Sequence, residues 1–222
     1  MSDANRPIAV VFDLDGVLTD TAELHFQSWM DLAREFDIPF DRQANEQLRG
    51  LSRPESLRLF LGTHASRFTP EQQTAIMDAK NKLYVERVRR MTPADALPGA
   101  RELLVALRER GVRTAVASSS KNARPVLDKL DMGALLDAVV DGHDAPASKP
   151  DPLVFLLAAE RVGVPPAKCV VVEDAESGVA GALAAGMKVV GVGPVQRVGA
   201  AHRVVSAMRD LTAETVLSLV DA

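Results

Sequence analysis

VVFDLDGVLTD, residues 10–20, carries a run of apolar side chains straight into two aspartates, a glycine and a threonine. Side chains of a strand alternate with period two, so Asp13 and Asp15 leave it on the same side. Two carboxylates held together repel, and they cost stability unless a cation or a proton shares the site. The fold gains nothing from such a pair, so its reason is chemical. Its partners are to be sought where other strands end.

Four more short apolar runs read as buried strands beside IAVVFDL at 8–14: VRTAVAS at 112–118, LLDAVV at 135–140, KCVVVED at 168–174 and MKVVGVG at 187–193. Helical patterns separate the later ones. GARELLVALRERG stops with Gly111, DPLVFLLAAERVG starts beside Pro152 and stops with Gly163, and ESGVAGALAAG stops with Gly186. Buried strands alternating with helices predict an α/β fold, a Rossmann-like parallel sheet covered on both faces. Residues 19–91 break this rhythm, because no convincing strand occurs there. TAELHFQSWMDLAREF sets Ala22, Phe26, Trp29, Ala33 and Phe36 near one helical face. SRPE at 52–55 and TPEQ at 69–72 each read as a capped helix start. The expected organisation is a core of residues 1–18 and 92–222 with an α-helical cap, 19–91, inserted after the first strand. The linkers fall near 19–21 and in MTPADALPG, 91–99.

Composition narrows the class. The chain has 222 residues, 47% hydrophobic and 25% charged, which suits one core with an inserted module. A net charge of −4 and the lack of any Lys/Arg run argue against nucleic acid as a partner. No apolar run approaches a membrane span, and MSDANRP lacks the basic start and apolar stretch of a signal peptide. The single cysteine, Cys169, lies in CVVV and reads as a buried strand residue. A reduced, cytoplasmic setting is expected. A monomer is expected too, since no extra apolar helix seeks a partner.

In an open parallel sheet, ligands gather beyond the carboxyl ends of the strands. The polar residues sit there. The first strand delivers Asp13 and Asp15, and the second delivers SSSKN, Ser118 to Asn122. After the third comes ASKPDP with Lys149, and the fourth delivers Glu173 and Asp174. Alone, a Glu-Asp pair after a strand is a solvated turn and a Lys before Pro is a surface charge. Together, in this order, they form the motif series of the haloacid dehalogenase (HAD) superfamily, whose phosphotransferases use an aspartate nucleophile.

The likeness extends to the β-phosphoglucomutase family. FDLDGVLTDTAELHF, DRQANEQLRGLSRPES, AKNKLYV, TPADALPG, ASSSKNA, ASKPDP and GVGP all resemble its segments, in its order, across most of the chain. The stretch after about residue 195 is not distinctive. This resemblance implies roles. Asp13 would be the nucleophile that becomes an aspartyl phosphate, and Asp15 the general acid/base. One Mg²⁺ per site would be held by the Asp13 carboxylate, the Asp15 carbonyl and the Asp174 carboxylate, with Glu173 nearby. Mg²⁺ and Lys149 would offset the negative charge brought by a phosphate. Ser118 and the Ser119 N–H would hold the transferring phosphoryl oxygens. If the Lys149–Pro150 bond is cis, it would aim the ammonium inward.

Core motifs alone do not separate mutase from phosphatase; the cap has to. RGLSRPES places Arg49 and Arg53 around a glycine and a helix start, a setting that suits an anion. By resemblance Arg53 binds the non-transferring phosphate, met from the core by Ser120, Lys121 and Asn122. Lys80 lies in a cap helix, where a lone lysine is usually solvated, but the family's matching Lys-Asn points into the closed site. His25 reads as a helix-packing or hinge residue, and Thr21 as a linker residue that couples closure to Asp15. Ala175 and Ser119 depart from the family's usual Ser and Ala, and EFDIPF at 35–40 looks shortened; none removes a catalytic group. The implied reaction is reversible conversion of β-D-glucose 1-phosphate to D-glucose 6-phosphate, with β-glucose 1,6-bisphosphate as intermediate and activator. A sugar-phosphate phosphatase is the alternative. A non-catalytic sugar-phosphate sensor is disfavoured, because it has no use for two repelling acids.

Overall fold

Both faces of the first strand are dry. In the computed structural model, which describes residues 8–49 and 51–220, β1 (Ala9–Phe12) is buried at every position. Period two sorts its side chains, with Val10 and Phe12 in one apolar cluster and Ala9 and Val11 in another across the sheet. Around it lie β2 (Arg113–Ala117), β3 (Ala138–Val140), β4 (Cys169–Glu173), β5 (Lys188–Val192) and β6 (Arg203–Val205). All pairings are parallel, in the order β3-β2-β1-β4-β5-β6. The five expected strands are present, each trimmed at its ends. β3 begins at Ala138 because Gly133–Leu135 closes into a 3-10 turn. β6 is an addition, a three-residue edge strand too short to carry a period.

Strand order reverses at β1, which pairs with β2 on one side and β4 on the other. Such a reversal opens a crevice at the carboxyl ends of the two strands it separates. Register then decides what meets there. Phe12 pairs with Val172, and the Asp13 N–H donates to the Val172 carbonyl at 2.9 Å. Asp13 is therefore set beside the end of β4, where Glu173 and Asp174 follow.

The helices begin with an insert between β1 and β2. It contains α1 (Ala22–Phe36), α2 (Arg42–Glu46), α3 (Arg53–Leu61) and α4 (Pro70–Val88), and no strand among its described residues. Ser52 with Glu55, and Thr69 with Gln72, form the two expected capping boxes. Trp29, Leu32, Leu57, Phe60 and Ile76 build an apolar cluster of their own, with the Trp29 and Phe60 rings 4.5 Å apart. Of the face expected on α1, Trp29 and Ala33 are buried in that cluster and Phe36 packs at its edge. Tyr84 and Val88 of α4 join the core cluster instead. The two connections to the insert run side by side: Leu97 N–H donates to Leu18 O at 2.9 Å, and Thr19 Oγ1 to Asp95 O at 2.7 Å.

The remaining helices are α5 (Ala100–Glu109), α6 (Ala123–Lys129), α7 (Leu153–Val162), α8 (Glu176–Ala184), α9 (Val195–Val198) and α10 (Ala213–Leu217). Leu103, Leu104 and Leu107 of α5 pack on one face of the sheet, and Phe155, Ala158 and Ala159 of α7 on the other. α7 ends as its sequence predicts, on Gly163 with φ 69°, whose N–H caps the Ala159 carbonyl. Residues 1–7 and 221–222 of the expected core, and Gly50 of the expected anion turn, lie outside the described residues.

Candidate active site

Beyond β1 the chain turns tightly. The Leu14 carbonyl accepts the N–H of Leu18 at 2.9 Å and that of Thr19 at 3.2 Å. Gly16 has φ +87°, and any Cβ there would run into the Asp174 carboxylate. This turn delivers Asp13 and Asp15 to the crevice. Lys149 Nζ donates to Asp13 Oδ1 at 2.5 Å and to Glu173 Oε2 at 2.9 Å, and all three side chains are buried. The Lys149–Pro150 peptide is cis. Glu173 Oε1 accepts the N–H groups of Asp174 (3.1 Å) and Ala175 (3.0 Å), so both of its oxygens are already engaged. Asp15 Oδ1 accepts from the Thr21 hydroxyl, the contact expected between linker and core.

Crowded acids raise one another. Burial, then the Asp13 charge, pushes Asp15 up to about 6, against opposing pulls from Thr21, Lys149 and Lys80. Burial, then the Asp13 charge, also raises Glu173 and Asp174 above the ordinary carboxylate range, the first opposed by Lys149 and the second by Arg49 and Arg197. Burial lowers Lys149, but the Asp13 and Glu173 carboxylates reverse this and hold it above its ordinary value. Asp13, Glu173 and Asp174 each offer an oxygen, all within 4.8 Å of one another. Hard anionic oxygens that repel so strongly fit a small divalent cation such as Mg²⁺. The Asp15 carboxylate is outside that set.

The other end of the site is built on serines. Ser118 Oγ accepts the Ser120 N–H and Ser120 Oγ accepts the Asn122 N–H, both at 3.1 Å, curling the loop after β2 into a cradle. The Ser119 hydroxyl is buried without a partner among the described residues. Asn122 Nδ2 then donates to Asn81 Oδ1 at 2.9 Å, and Arg53 Nη2 donates to the same oxygen at 2.8 Å. Core loop, α3 and α4 thus converge on one carboxamide.

Lys80 is not a solvated lysine. It is 5% exposed, 2.5 Å from His25 Nδ1, and lies over the rings of Trp29 and Tyr84. Burial, then Arg53, lowers it to about 7, and burial with Lys80 and Arg53 holds His25 neutral, well below its ordinary value. His25 also stacks on Tyr84 at 4.2 Å, so it faces the site as well as packing its helix. Arg49 and Arg53 do not share one anion: Arg49 Nη1 is committed to Asp174 Oδ2 at 2.8 Å. Every residue expected at the site, from Asp13 to Asp174, lines a single cavity of about 590 Å³ between sheet and insert.

Residues 9–186 match the family model described as haloacid dehalogenase-like hydrolase. The chain belongs to that family. Among haloacid dehalogenase-like proteins, it is 44% identical to a β-phosphoglucomutase of Bacillus subtilis, over 93% of this chain and 92% of the relative. A phosphorylated carbohydrates phosphatase of Thermotoga maritima is 31% identical, over 81% of this chain and 82% of its own. A crystal structure of β-phosphoglucomutase from Clostridium difficile superposes with a TM-score of 0.92 at 34% identity, covering 97% of each chain. In this haloacid dehalogenase-like chain, residue order gave Asn81 no role of its own and did not mark Arg197, which reaches Asp174. Asn81 lies beside Lys80 in AKNKLYV, whereas Arg197 follows GVGP in a stretch without distinctive signal. No helix among the described residues is long and apolar enough to cross a membrane.

Proposed function

We propose that this chain is a β-phosphoglucomutase, which interconverts β-D-glucose 1-phosphate and D-glucose 6-phosphate. The likeness to the Bacillus subtilis mutase, 44% over nearly the whole of both chains, carries this reading. The cavity supports it by holding two anion-handling ends at once, as a bisphosphate intermediate requires. Residues 1–18 and 92–222 act as the core and residues 19–91 as a cap over it.

At the first end, an Asp13 oxygen attacks phosphorus and the bond from phosphorus to the sugar oxygen breaks. Asp15, whose pKa burial and the Asp13 charge raise to about 6, keeps a protonated fraction near neutrality, and that form gives its proton to the leaving oxygen. It then takes the proton of the sugar hydroxyl that accepts the phosphoryl group, and Asp13 is released as carboxylate. Lys149, charged and tied to Asp13, balances the incoming phosphate, while Ser118 and the Ser119 N–H hold its oxygens. Glu173 keeps Lys149 in place. Asp13, Asp174 and the Asp15 carbonyl would hold one Mg²⁺, which supplies charge neutralisation at the transferring phosphoryl group. At the second end Arg53, Ser120, Lys121 and Asn122 grip the other phosphate while the first is transferred, and release it when β-glucose 1,6-bisphosphate turns round. Lys80 and His25 bind the sugar between the two ends. The closed insert excludes water, so the phosphoryl group passes to sugar.

The partner is a small phosphorylated sugar. A cytoplasmic setting suits a charged substrate that does not cross a lipid bilayer and a buried free thiol, Cys169. A monomer suits the distribution of exposed large apolar side chains, since Leu59, Val105, Leu156 and Val195 sit on separate helices. One coupled assay tests the reading. With Mg²⁺, β-glucose 1-phosphate and a trace of the bisphosphate, glucose 6-phosphate forms with little inorganic phosphate, and the α-anomer reacts poorly. Stoichiometric phosphate release without glucose 6-phosphate would replace the mutase with a phosphatase.

A further inference from the structure

Arg197 stands on α9, just after β5 and the Gly193–Pro194 turn, and none of the roles above uses it. Its Nε donates to the main-chain carbonyl of Asp174 at 2.7 Å, and its Nη2 lies 3.7 Å from Asp174 Oδ2. Arg49 of the insert reaches the same Oδ2 at 2.8 Å. Glu46 joins the two arginines, 3.2 Å from Arg49 and 3.8 Å from Arg197. No hydrogen bond among the described residues goes to Asp174 Oδ1. The fold makes room for this guanidinium. Gly193 has φ +124°, and a Cβ there would lie 2.8 Å from Arg197 Nη2.

A carboxylate with one oxygen clamped and the other open is set to bind a cation through a single atom. Two effects of Arg197 oppose each other at such a site. Its positive charge repels a cation, but the side chain is 31% exposed and solvent screens that repulsion. Its hydrogen bond to the Asp174 carbonyl fixes the ligand's main chain, and losing an outer partner of this kind typically costs roughly 10- to 100-fold in metal affinity. Orientation outweighs repulsion. We propose that Arg197 is a positioning residue that holds Asp174 by its carbonyl and Oδ2, leaving Oδ1 for the metal. This rests on the reading of Asp174 as a Mg²⁺ ligand.

The sign of one measurement decides between positioning and mere charge. Metal-stripped wild type, Arg197→Met and Arg197→Lys are titrated with Mg²⁺ by isothermal calorimetry, with circular dichroism and thermal unfolding as checks of folding. Positioning predicts that both variants bind Mg²⁺ roughly 10-fold or more weakly, even though Arg197→Met removes a repelling charge. If Arg197→Met binds as tightly as wild type or tighter, or Arg197→Lys equals wild type, the inference is overturned. Should Arg197→Met fail to fold, Arg197→Lys still decides, because it keeps the charge and loses the Nε donor. An Asp174→Asn control separates the two failures. If wild type binds no Mg²⁺, or Asp174→Asn binds it equally well, the metal reading itself falls and takes this inference with it.

Discussion

Removing the Asn81 carboxamide tests whether the second phosphate grip depends on cap and core meeting at one atom. In Asn81→Ala, Arg53 loses a 2.8 Å acceptor and Asn122 a 2.9 Å acceptor. A hydrogen bond from a charged donor is worth about 1.5–3 kcal/mol and a neutral one about 0.5–1.5 kcal/mol. Arg53 is only half-buried, so the combined loss should sit in the lower part of that sum, about 2–3 kcal/mol. That corresponds to roughly 30- to 150-fold in kcat/KM. The loss should appear chiefly in KM, because Asn81 touches neither Asp13 nor Asp15, and the share of turnover ending as inorganic phosphate should rise. The assay follows glucose 6-phosphate and phosphate together over a range of β-glucose 1-phosphate, with a thermal melt as control. Because these bonds tie cap to core without substrate, the melt should fall by roughly 2–4 °C per kcal/mol lost yet stay cooperative, Asn81 lying outside the main apolar clusters. A well-folded Asn81→Ala enzyme with kcat/KM within threefold of wild type would refute the reasoning.

Asp13→Ala should abolish both turnover and labelling by a phosphoryl donor while the protein stays folded; residual labelling in a clean preparation would move the nucleophile elsewhere. Lys149→Met leaves the buried Asp13 and Glu173 carboxylates unpaired and should cost about 3–5 kcal/mol in urea unfolding with chelator present. Added Mg²⁺ should restore part of that loss by mass action. Lys80 gives a pH signature. Its pKa falls from 10.5 unfolded to about 7 folded, so between those values the unfolded chain binds more protons and stability rises with pH. Lys80→Met should therefore be stabilising relative to wild type near pH 6, with the gain shrinking by up to about 1.4 kcal/mol per pH unit as pH climbs through that window. A gain that grows with pH would show that the fold raises the Lys80 pKa instead of lowering it.

Much of the molecule was legible from residue order. Apolar runs ending in acids, serines or a lysine gave the parallel sheet and named the groups at its carboxyl edge, because a strand's buried face and its polar exit are both written locally. Ser52 with Glu55 and Thr69 with Gln72 announced their helices, since capping is an exchange between residues three apart. β6 escaped because three residues at a sheet edge carry no period. The contacts that span the chain were decided only by packing. Lys80, alone on a helix, reads as solvated until α1 brings His25 within 2.5 Å and the Tyr84 and Trp29 rings close over it. Arg49 and Arg53 look like one anion site in sequence, yet α3 begins at Arg53 and sends it to Asn81 while Arg49, ahead of the helix, turns to Asp174. Arg197 has no motif at all, and its place behind Asp174 follows from β5 pairing beside β4 and from the space left at Gly193. Local sequence specifies which groups a strand or helix offers; the register between distant elements specifies which of them touch.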